Sequence, residues 1–212
     1  MNAPILIVGG GIAGLATALA AAPGFVESPT PTMLSIATLP SKDDPAFEAF
    51  QPGSLIGLLG LELETRRRNR ANGQIGTIAA HGFTVEIAQS FGNCAKYIQV
   101  RNRVQDSDEP AAAPVNLSGL DTEARALIAG ADTLFIASAA ALEAETGGVD
   151  ISHRGGRPSF VRIDGDTLTI PDFAGNNYFN TFGNLLREPR AALLFVDFAT
   201  GTLLQLQGEV EI

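Results

Sequence analysis

Residues 149–212 read VDISHRGGRPSFVRIDGDTLTIPDFAGNNYFNTFGNLLREPRAALLFVDFATGTLLQLQGEVEI. Apolar and polar residues alternate over short runs, and clusters of Gly, Pro, Asn and Asp separate the runs. Such alternation is typical of β-strands that bury one face, and such clusters are typical of turns. The pattern predicts strands at 149–152, 160–163, 167–170, 191–198 and 203–212, with a short helix at 180–186 that ends before Pro189.

The same pattern extends toward the N-terminus. It predicts strands at 24–26, 33–37, 55–64, 74–79, 83–88 and 133–138. A short helix is expected at 93–101, and another begins at the capping residue Asp121, with Glu123 in its first turn. Residues 105–114 are polar and rich in Pro and Ala, which is typical of linkers. The chain is therefore predicted to be mainly β, with short helices.

An internal repeat emerges when the numbering is shifted by 135 residues. Phe25 and Val26 then fall on Phe160 and Val161. The same shift, without gaps, superposes Leu58 on Leu193, Leu59 on Leu194, Thr65 on Thr200, Gly73 on Gly208 and Ile75 on Val210. A constant offset over about fifty residues is unusual for unrelated β segments, so we interpret it as a duplication.

The duplication predicts how both ends of the chain are organised. Residues 16–20 fall on 151–155, which are a predicted strand and its turn. The first copy continues past Thr77 with a further strand and a helix, whereas the second copy stops at Ile212. We therefore expect the chain to be a fragment whose second copy is incomplete at its C-terminal end, with an unpaired sheet edge there.

Composition excludes several classes of protein. The 212 residues carry 14 Lys+Arg and 23 Asp+Glu, a net charge of −9, which disfavours nonspecific binding to nucleic acid or to an anionic membrane. The single cysteine, Cys94, excludes an internal disulfide. With it and two histidines, a zinc finger is excluded. Residues 3–26 are uncharged, but no basic residue precedes them and glycines interrupt them, which disfavours a signal peptide or a membrane span.

Two interpretations of the N-terminus remain open. The string ILIVGGGIAGLATALA contains Gly9, Gly11 and Gly14 in the spacing G-x-G-x-x-G, and it resembles the first strand, turn and helix of a dinucleotide-binding Rossmann fold. That fold also needs a second strand ending in an acid about 20 residues later, and none is present. The alternative is a hairpin of two apolar strands with a glycine-rich tip, which the duplication favours.

A polar cluster distinguishes the second copy from the first. It comprises Ser152, His153, Arg154, Arg157, Arg162, Asp172, Asn176, Asn177, Asn180, Thr181 and Asn184. Arginines on a strand that face Asn and Thr donors at a helix start form a candidate site for a phosphate monoester. The alternative is that these residues only cap turns and helices.

The string DTLFIASAA and residues 149–212 resemble the pyridoxamine 5'-phosphate oxidase-related family. The resemblance rests on three motifs within residues 149–212: S-H-R-G-G-x-P-x-F-V-R, P-D-x-x-G-N and G-N-L-x-x-x-P-R-x-x-L-L-F-x-D-F. IGLLGLELETRRRNRANGQ and FTVEIAQSFGNCAKYIQ resemble the preceding half of longer members. The resemblance implies the FMN-binding split β-barrel fold. We thus expect tandem split barrels: a degenerate first unit at 1–101, a linker at 102–118 and a truncated FMN-binding unit at 119–212.

The resemblance also implies which residues bind the cofactor. Arg154 and Arg162 would face the phosphate or the ribityl chain, and Ser152 belongs to the same polar set. Asn177, Asn180 and Thr181 would donate hydrogen bonds from the short helix. Pro171 and Asp172 would line the isoalloxazine edge. In such folds FMN lies between two barrels, so the fused units would form a pseudo-dimer, or the chain a homodimer. The basic run 66–70 of the first copy would then complete the pocket, unless it is a solvated strand end.

Three functions follow in order of preference. The first is a cytoplasmic FMN-dependent oxidoreductase of unknown substrate, with NAD(P)H or a ferredoxin-type protein as electron donor and with FAD a less favoured cofactor. The second is a noncatalytic flavin- or haem-binding module, and the third is a fragment of a Rossmann FAD oxidoreductase. No side chain is identified as catalytic; His153 is a candidate proton donor or a structural hydrogen-bonding group, and Cys94 is interpreted as a buried apolar residue.

Overall fold

The computed structural model describes residues 5–10, 15–20, 24–92, 95–101, 113–140, 148–175 and 177–212. Seven strands belong to the first half of the chain: β1 (Ile5–Gly10), β2 (Leu15–Ala20), β3 (Val26–Thr30), β4 (Met33–Ile36), β5 (Leu55–Glu62), β6 (Arg67–Ala79) and β7 (Gly82–Gly92). They form one sheet in the order β2-β1-β5-β6-β7-β4-β3. A single turn of 3-10 helix, Pro45–Phe47, lies between β4 and β5.

The second half contains α1 (Thr122–Gly130), β8 (Thr133–Ala139), β9 (Val149–Gly155), β10 (Arg162–Asp164), β11 (Thr167–Thr169), α2 (Asn180–Leu185), β12 (Arg190–Val196) and β13 (Leu203–Glu209). Strands β13-β12-β8-β9 form a four-stranded sheet, and β10-β11 form a separate hairpin. The prediction of a mainly β fold is confirmed. The described residues form open sheets, so they do not establish the predicted tandem barrels.

Every strand pair in the described residues is antiparallel. Residues 5–10 and 15–20 pair as a hairpin, with Ile5 opposite Ala20. The hairpin interpretation of the N-terminus is therefore confirmed for these strands, and the helix that a dinucleotide-binding turn requires is not formed at 15–20. Gly11 and Gly14 lie outside the described residues.

The two sheets share a strand order and a hairpin register. The order β2-β1-β5-β6 corresponds to β9-β8-β12-β13. In the first sheet Leu55 pairs with Gln74, and adding 135 to each number gives Arg190 and Glu209, which pair in the second sheet. In the first sheet β7 joins β6 to β4, and the described part of the second half contains no counterpart of β7.

The sheets pack against each other through a central core. From the first half it takes Leu59, Leu61, Leu63 and Ile98, and from the second half Phe135, Ala137, Ile151, Ala192 and Leu194. The opposite face of each sheet has its own core, and Ile56 and Leu58 of β5 face the one beneath the first sheet. Strand β5 is therefore buried on both faces, which explains its almost continuous apolar sequence LIGLLGLE.

The prediction of a helix at 93–101 is wrong for the residues that the structure describes there, 95–101. Strand β7 continues to Gly92, and residues 95–101 form a turn and irregular chain. Tyr97 has a left-handed backbone (φ 65°), which interrupts a right-handed helix. Its hydroxyl donates a hydrogen bond to the carbonyl of Ala174 (3.1 Å), so a tertiary contact fixes this segment.

The remaining predicted elements are present with altered boundaries. Strand β6 begins at Arg67, seven residues before the predicted start, because its basic N-terminal part pairs with β5. Helix α1 begins as predicted after Asp121, whose carboxylate accepts a hydrogen bond from the backbone N–H of Ala124 (2.8 Å). Neither α1 nor α2 is long and apolar enough to span a membrane, and no other helix of the described chain is.

Candidate functional site

Strand β9 is an edge strand of the second sheet and presents different chemistry on its two faces. Ile151 belongs to the central core, and the ring of His153 lies 5.8 Å from that of Phe135. Asp150, Ser152 and Arg154 alternate with these residues and lie on the other face of the strand. The period-two spacing of D-x-S-x-R thus places acid, hydroxyl and guanidinium on one face of a strand.

A buried hydrogen-bond network joins the two sheets. The Arg70 guanidinium of β6 donates to both oxygens of Asp150 (2.9 and 3.2 Å) and to the Ser152 hydroxyl (2.6 Å). Arg154 donates to the same hydroxyl (2.7 Å), and the hydroxyl of Thr181 in α2 donates to Asp150 (3.3 Å). We call these five residues the Arg70–Asp150 network. The Arg70 and Asp150 side chains are only 6% and 4% exposed, so each charge depends on the other.

An aromatic ring also positions Arg70. The guanidinium carbon lies 5.6 Å from the ring centre of Phe91 on the adjacent strand β7. This distance allows a cation–π contact. Arg70 is therefore held by an ion pair, a hydroxyl and an aromatic face at once.

A cleft of about 330 Å³ opens beside the network. It is lined by Asn72, Gln89, Ala140, Gly148, Val149, Asp150, Tyr178, Phe179, Asn180, Gly183, Asn184 and Arg187. These residues come from both sheets and from α2 and the segment before it. The cleft is thus assembled from distant parts of the chain, and four side-chain amides and two aromatic rings line it.

Helix α2 forms one wall of the cleft and is fixed by Asn184. The Asn184 amide donates to the carbonyl (3.3 Å) and the hydroxyl (3.2 Å) of Ser138 and to the carbonyl of Gly148 (3.5 Å). The residue before the helix, Phe179, has a left-handed backbone (φ 52°) and provides no side-chain cap. Hydrogen bonds to the second sheet therefore compensate for the missing cap and fix the position of α2.

Asn72 carries an unsatisfied polar atom at the cleft wall. Its side-chain nitrogen donates to the Gln89 amide oxygen (3.5 Å). Its own amide oxygen is buried and has no hydrogen-bond partner among the described residues. Because buried polar groups are normally paired, this oxygen requires a donor from water or from a bound molecule.

The electrostatics of β9 differ between its faces. Burial, together with the positive charges of Arg68, Arg154, Arg101 and Arg70, lowers the pKa of His153 to about 3. His153 is therefore neutral at physiological pH, and its ring faces the central core. Burial also lowers the pKa of Arg154, and the nearby carboxylate of Asp172 opposes that shift.

The structure brings four of the eight predicted site residues to the network or to the cleft. Ser152, Arg154 and Thr181 belong to the Arg70–Asp150 network, and Asn180 lines the cleft. The charge of Asp172 raises the pKa of Arg154. Pro171 is half-buried and precedes Asp172, in a segment whose Ala174 carbonyl accepts a hydrogen bond from the Tyr97 hydroxyl. Asn177 is exposed, with a left-handed backbone (φ 59°). From the basic run 66–70, Arg70 belongs to the network but does not line the cleft, so the pocket-completing role of this run stays a prediction.

Arg162, in contrast, belongs neither to the Arg70–Asp150 network nor to the lining of the cleft. It lies exposed on the hairpin β10-β11, where its guanidinium donates to the Thr169 hydroxyl across the strand pair (3.3 Å). It does not line the cleft. The hairpin forms its own two-stranded sheet, so a position in the polar stretch of sequence does not bring Arg162 to the β9 face.

The sequence analysis did not identify several residues of the site, namely Asp150, Asn72, Gln89, Tyr178, Phe179 and Arg187. Asp150 had a signal, because it precedes Ser152 and Arg154 at a spacing of two and an acid on a buried strand needs a cation. Asn72 and Gln89 belong to the first half of the chain, and their opposition across β6 and β7 is a matter of strand register.

No family model, no curated protein and no solved structure matches the chain significantly. Across the described residues, no group of histidine, cysteine and acidic side chains is arranged to hold a metal ion. The interpretation of the site therefore rests on its residues and their geometry.

Proposed function

We propose that this protein is an FMN-binding flavoprotein of the pyridoxamine 5'-phosphate oxidase-like split-barrel type and acts as a flavin-dependent oxidoreductase. One observation carries the proposal: the cleft lies where the two sheets and α2 meet, beside the Arg70–Asp150 network. In the split-barrel family that the sequence resembles, FMN is expected at such a junction. FAD is the less favoured cofactor.

The cleft suits a flavin in size and chemistry. Its volume of about 330 Å³ falls within the range of small-molecule sites. Tyr178 and Phe179, which are 60% and 59% exposed, offer aromatic surfaces for stacking on a planar ring system. The side-chain amides of Gln89 and Asn180, which line the cleft, can hydrogen-bond to the imide N–H and the carbonyl groups of the flavin.

The proposed roles of the protein are binding and orientation. When bound, the flavin would supply hydride transfer. The network holds β9 against β6, and Asn184 holds α2, so both walls of the cleft have fixed positions. His153 is neutral and does not line the cleft, which supports a structural rather than a proton-donating role for it.

The first test is cofactor content. The full chain, purified without added flavin, is expected to be yellow and to release a flavin on heating whose mass is that of FMN. Gln89→Ala removes one cleft amide and should raise the dissociation constant about three- to tenfold in a fluorescence titration. Gln207→Ala, at an exposed position of β13, is the control and should leave affinity unchanged. A chain that binds neither FMN nor riboflavin would overturn the proposal.

The second test separates an enzyme from a binding module. Oxidation of NADH or NADPH, or of a reduced ferredoxin, by the flavin-loaded protein supports the oxidoreductase. Stable flavin binding without reduction by any donor supports the noncatalytic alternative. Fractionation of the producing cells tests the proposed cytoplasmic location.

We also propose that the two sheets are duplicated split-barrel units arranged as a pseudo-dimer. The shared strand order and the identical register of β5–β6 and β12–β13 support this. One flavin bound per monomeric chain is the expected result in sedimentation of the loaded protein. One flavin per two chains would instead support the homodimer.

A further inference from the structure

We infer that Arg187 binds the phosphate of the flavin mononucleotide and thereby makes the cleft selective for FMN over riboflavin. This inference rests on the proposed flavin-binding function. It differs from the assignment drawn from the sequence, which gave this role to Arg154 and Arg162. The chemistry recognised is a phosphate monoester at the end of a neutral chain.

The charge balance of the cleft is the first argument. Only two charged residues, Asp150 and Arg187, occur among the described residues that line it. Asp150 is neutralised by the Arg70 guanidinium at 2.9 Å. The described part of the cleft wall therefore carries one net positive charge in a protein whose formal net charge is −9. A local positive charge of this kind attracts an anionic ligand.

The absence of a counterion for Arg187 is the second argument. In the described part of the chain, Arg70, Arg101, Arg125 and Arg190 each form an ion pair with an acid. Arg187 forms none there, and the carboxylate of its neighbour Glu188 is bound by Arg190. Its side chain is exposed, so its donors are accessible to a ligand. An arginine fork can donate two hydrogen bonds to one phosphate.

The backbone position of Arg187 is the third argument. Its N–H donates to the carbonyl of Asn184 (3.0 Å), and the Asn184 side chain is bound to Ser138 and Gly148. The guanidinium therefore extends from a turn that is fixed to the second sheet. In contrast, Arg162 donates to Thr169 in a hairpin that does not line the cleft, and Arg154 is committed to Ser152.

The test compares the affinities of FMN and riboflavin, which differ only in the phosphate. Both are titrated by flavin fluorescence into wild type, Arg187→Gln and Arg162→Gln. Wild type should bind FMN about ten- to a hundredfold more tightly than riboflavin, the range expected for a charge-assisted contact. In R187Q the two affinities should become nearly equal while riboflavin binding is unchanged. In R162Q the wild-type ratio should persist.

The outcomes separate this inference from the function on which it rests. A wild-type FMN preference that survives in R187Q, or that disappears in R162Q alone, would overturn the role of Arg187 while leaving flavin binding intact. Failure of wild type to bind either flavin would overturn both. Because Arg187 is exposed and forms no ion pair among the described residues, R187Q should keep the wild-type circular dichroism and thermal unfolding, which checks that the affinity change is local.

Discussion

At the residue scale, the site depends on charges that are buried in pairs. Asp150 is an acid on a strand whose seven residues are all buried or half-buried, and it is tolerable there because Arg70 reaches it from the other sheet. The two residues are 80 positions apart in the chain. Ser152, Arg154 and Thr181 complete the network, so three of the predicted site residues have a structural role as well as a proposed binding role.

Removing one partner of this pair should destabilise the protein strongly. Arg70→Met leaves the Asp150 carboxylate buried without its cation, and the free energy of unfolding in urea should fall by about 3–5 kcal/mol. The double variant R70M/D150L should recover a large part of that loss, because it removes both buried charges.

The matched control is Arg125→Met. Arg125 pairs with Asp166 at the same distance, 2.9 Å, but their side chains are 39% and 65% exposed. Its removal should change stability by about 1 kcal/mol or less. Equal losses for the two arginine variants, or no recovery in the double variant, would show that the Arg70–Asp150 pair does not contribute as argued.

At the element scale, strand β6 is shaped by its neighbour β7. The pairing register shifts between Asn72 and Gly73, and a Cβ atom at Gly73 would lie 1.9 Å from the carbonyl oxygen of Glu86. Only glycine allows this close approach of two backbones. The irregularity adjoins Asn72 and Gln89, so it helps to set the amide wall of the cleft.

Gly73→Ala should therefore separate β6 from β7. We expect a loss of about 1–3 kcal/mol in unfolding free energy, with weaker flavin binding because Asn72 and Gln89 move apart. Gly208→Ala is the control: 73 + 135 = 208 is the corresponding position of β13, where a Cβ atom would meet nothing within 4 Å. Similar losses at both positions would mean that the close approach to Glu86 is not the cause.

At the scale of the whole molecule, the two sheets are joined by apolar packing and by a layer of basic residues. Leu59 of β5 and Leu194 of β12 correspond under the offset of 135 and are both fully buried in the central core. His153 lies buried next to this core, and the positive charges of arginines from both halves of the chain lower its pKa. The junction of the sheets thus combines hydrophobic stabilisation with a histidine that is held neutral.

This arrangement predicts how stability depends on pH. The pKa of His153 is about 3 in the folded protein and 6.5 in its ordinary state, so between these values the unfolded chain binds a proton that the folded chain does not. Stability should therefore fall as the pH drops through this window, with His153 contributing about 2 kcal/mol of loss between pH 7 and pH 5.

Urea unfolding at the two pH values measures the effect. His153→Leu should remove this part of the pH dependence, whereas His81→Gln, at an exposed position, should retain it. A wild-type slope that persists unchanged in H153L would contradict the neutral, buried state of His153.

The sequence alone determined the local features of this protein. Period-two alternation predicted the strands, the Asp121 cap predicted α1, and the offset of 135 anticipated the equal registers of β5–β6 and β12–β13. These features arise from contacts between residues that are close in the chain, so the amino-acid sequence alone shows their patterns. The sequence also grouped Ser152 and Arg154 in one polar cluster, but it ended the predicted strand at Ser152, before Arg154.

Only the tertiary structure decided how distant segments meet. The predicted helix at 93–101 is absent because Tyr97 is fixed by a contact with Ala174. Arg162 falls outside the cleft because its hairpin forms a separate sheet, while Arg187 and Asn72 line it from the turn after α2 and from β6. Such placements depend on sheet register and sheet packing, which are set by burial of the central core and not by local preference.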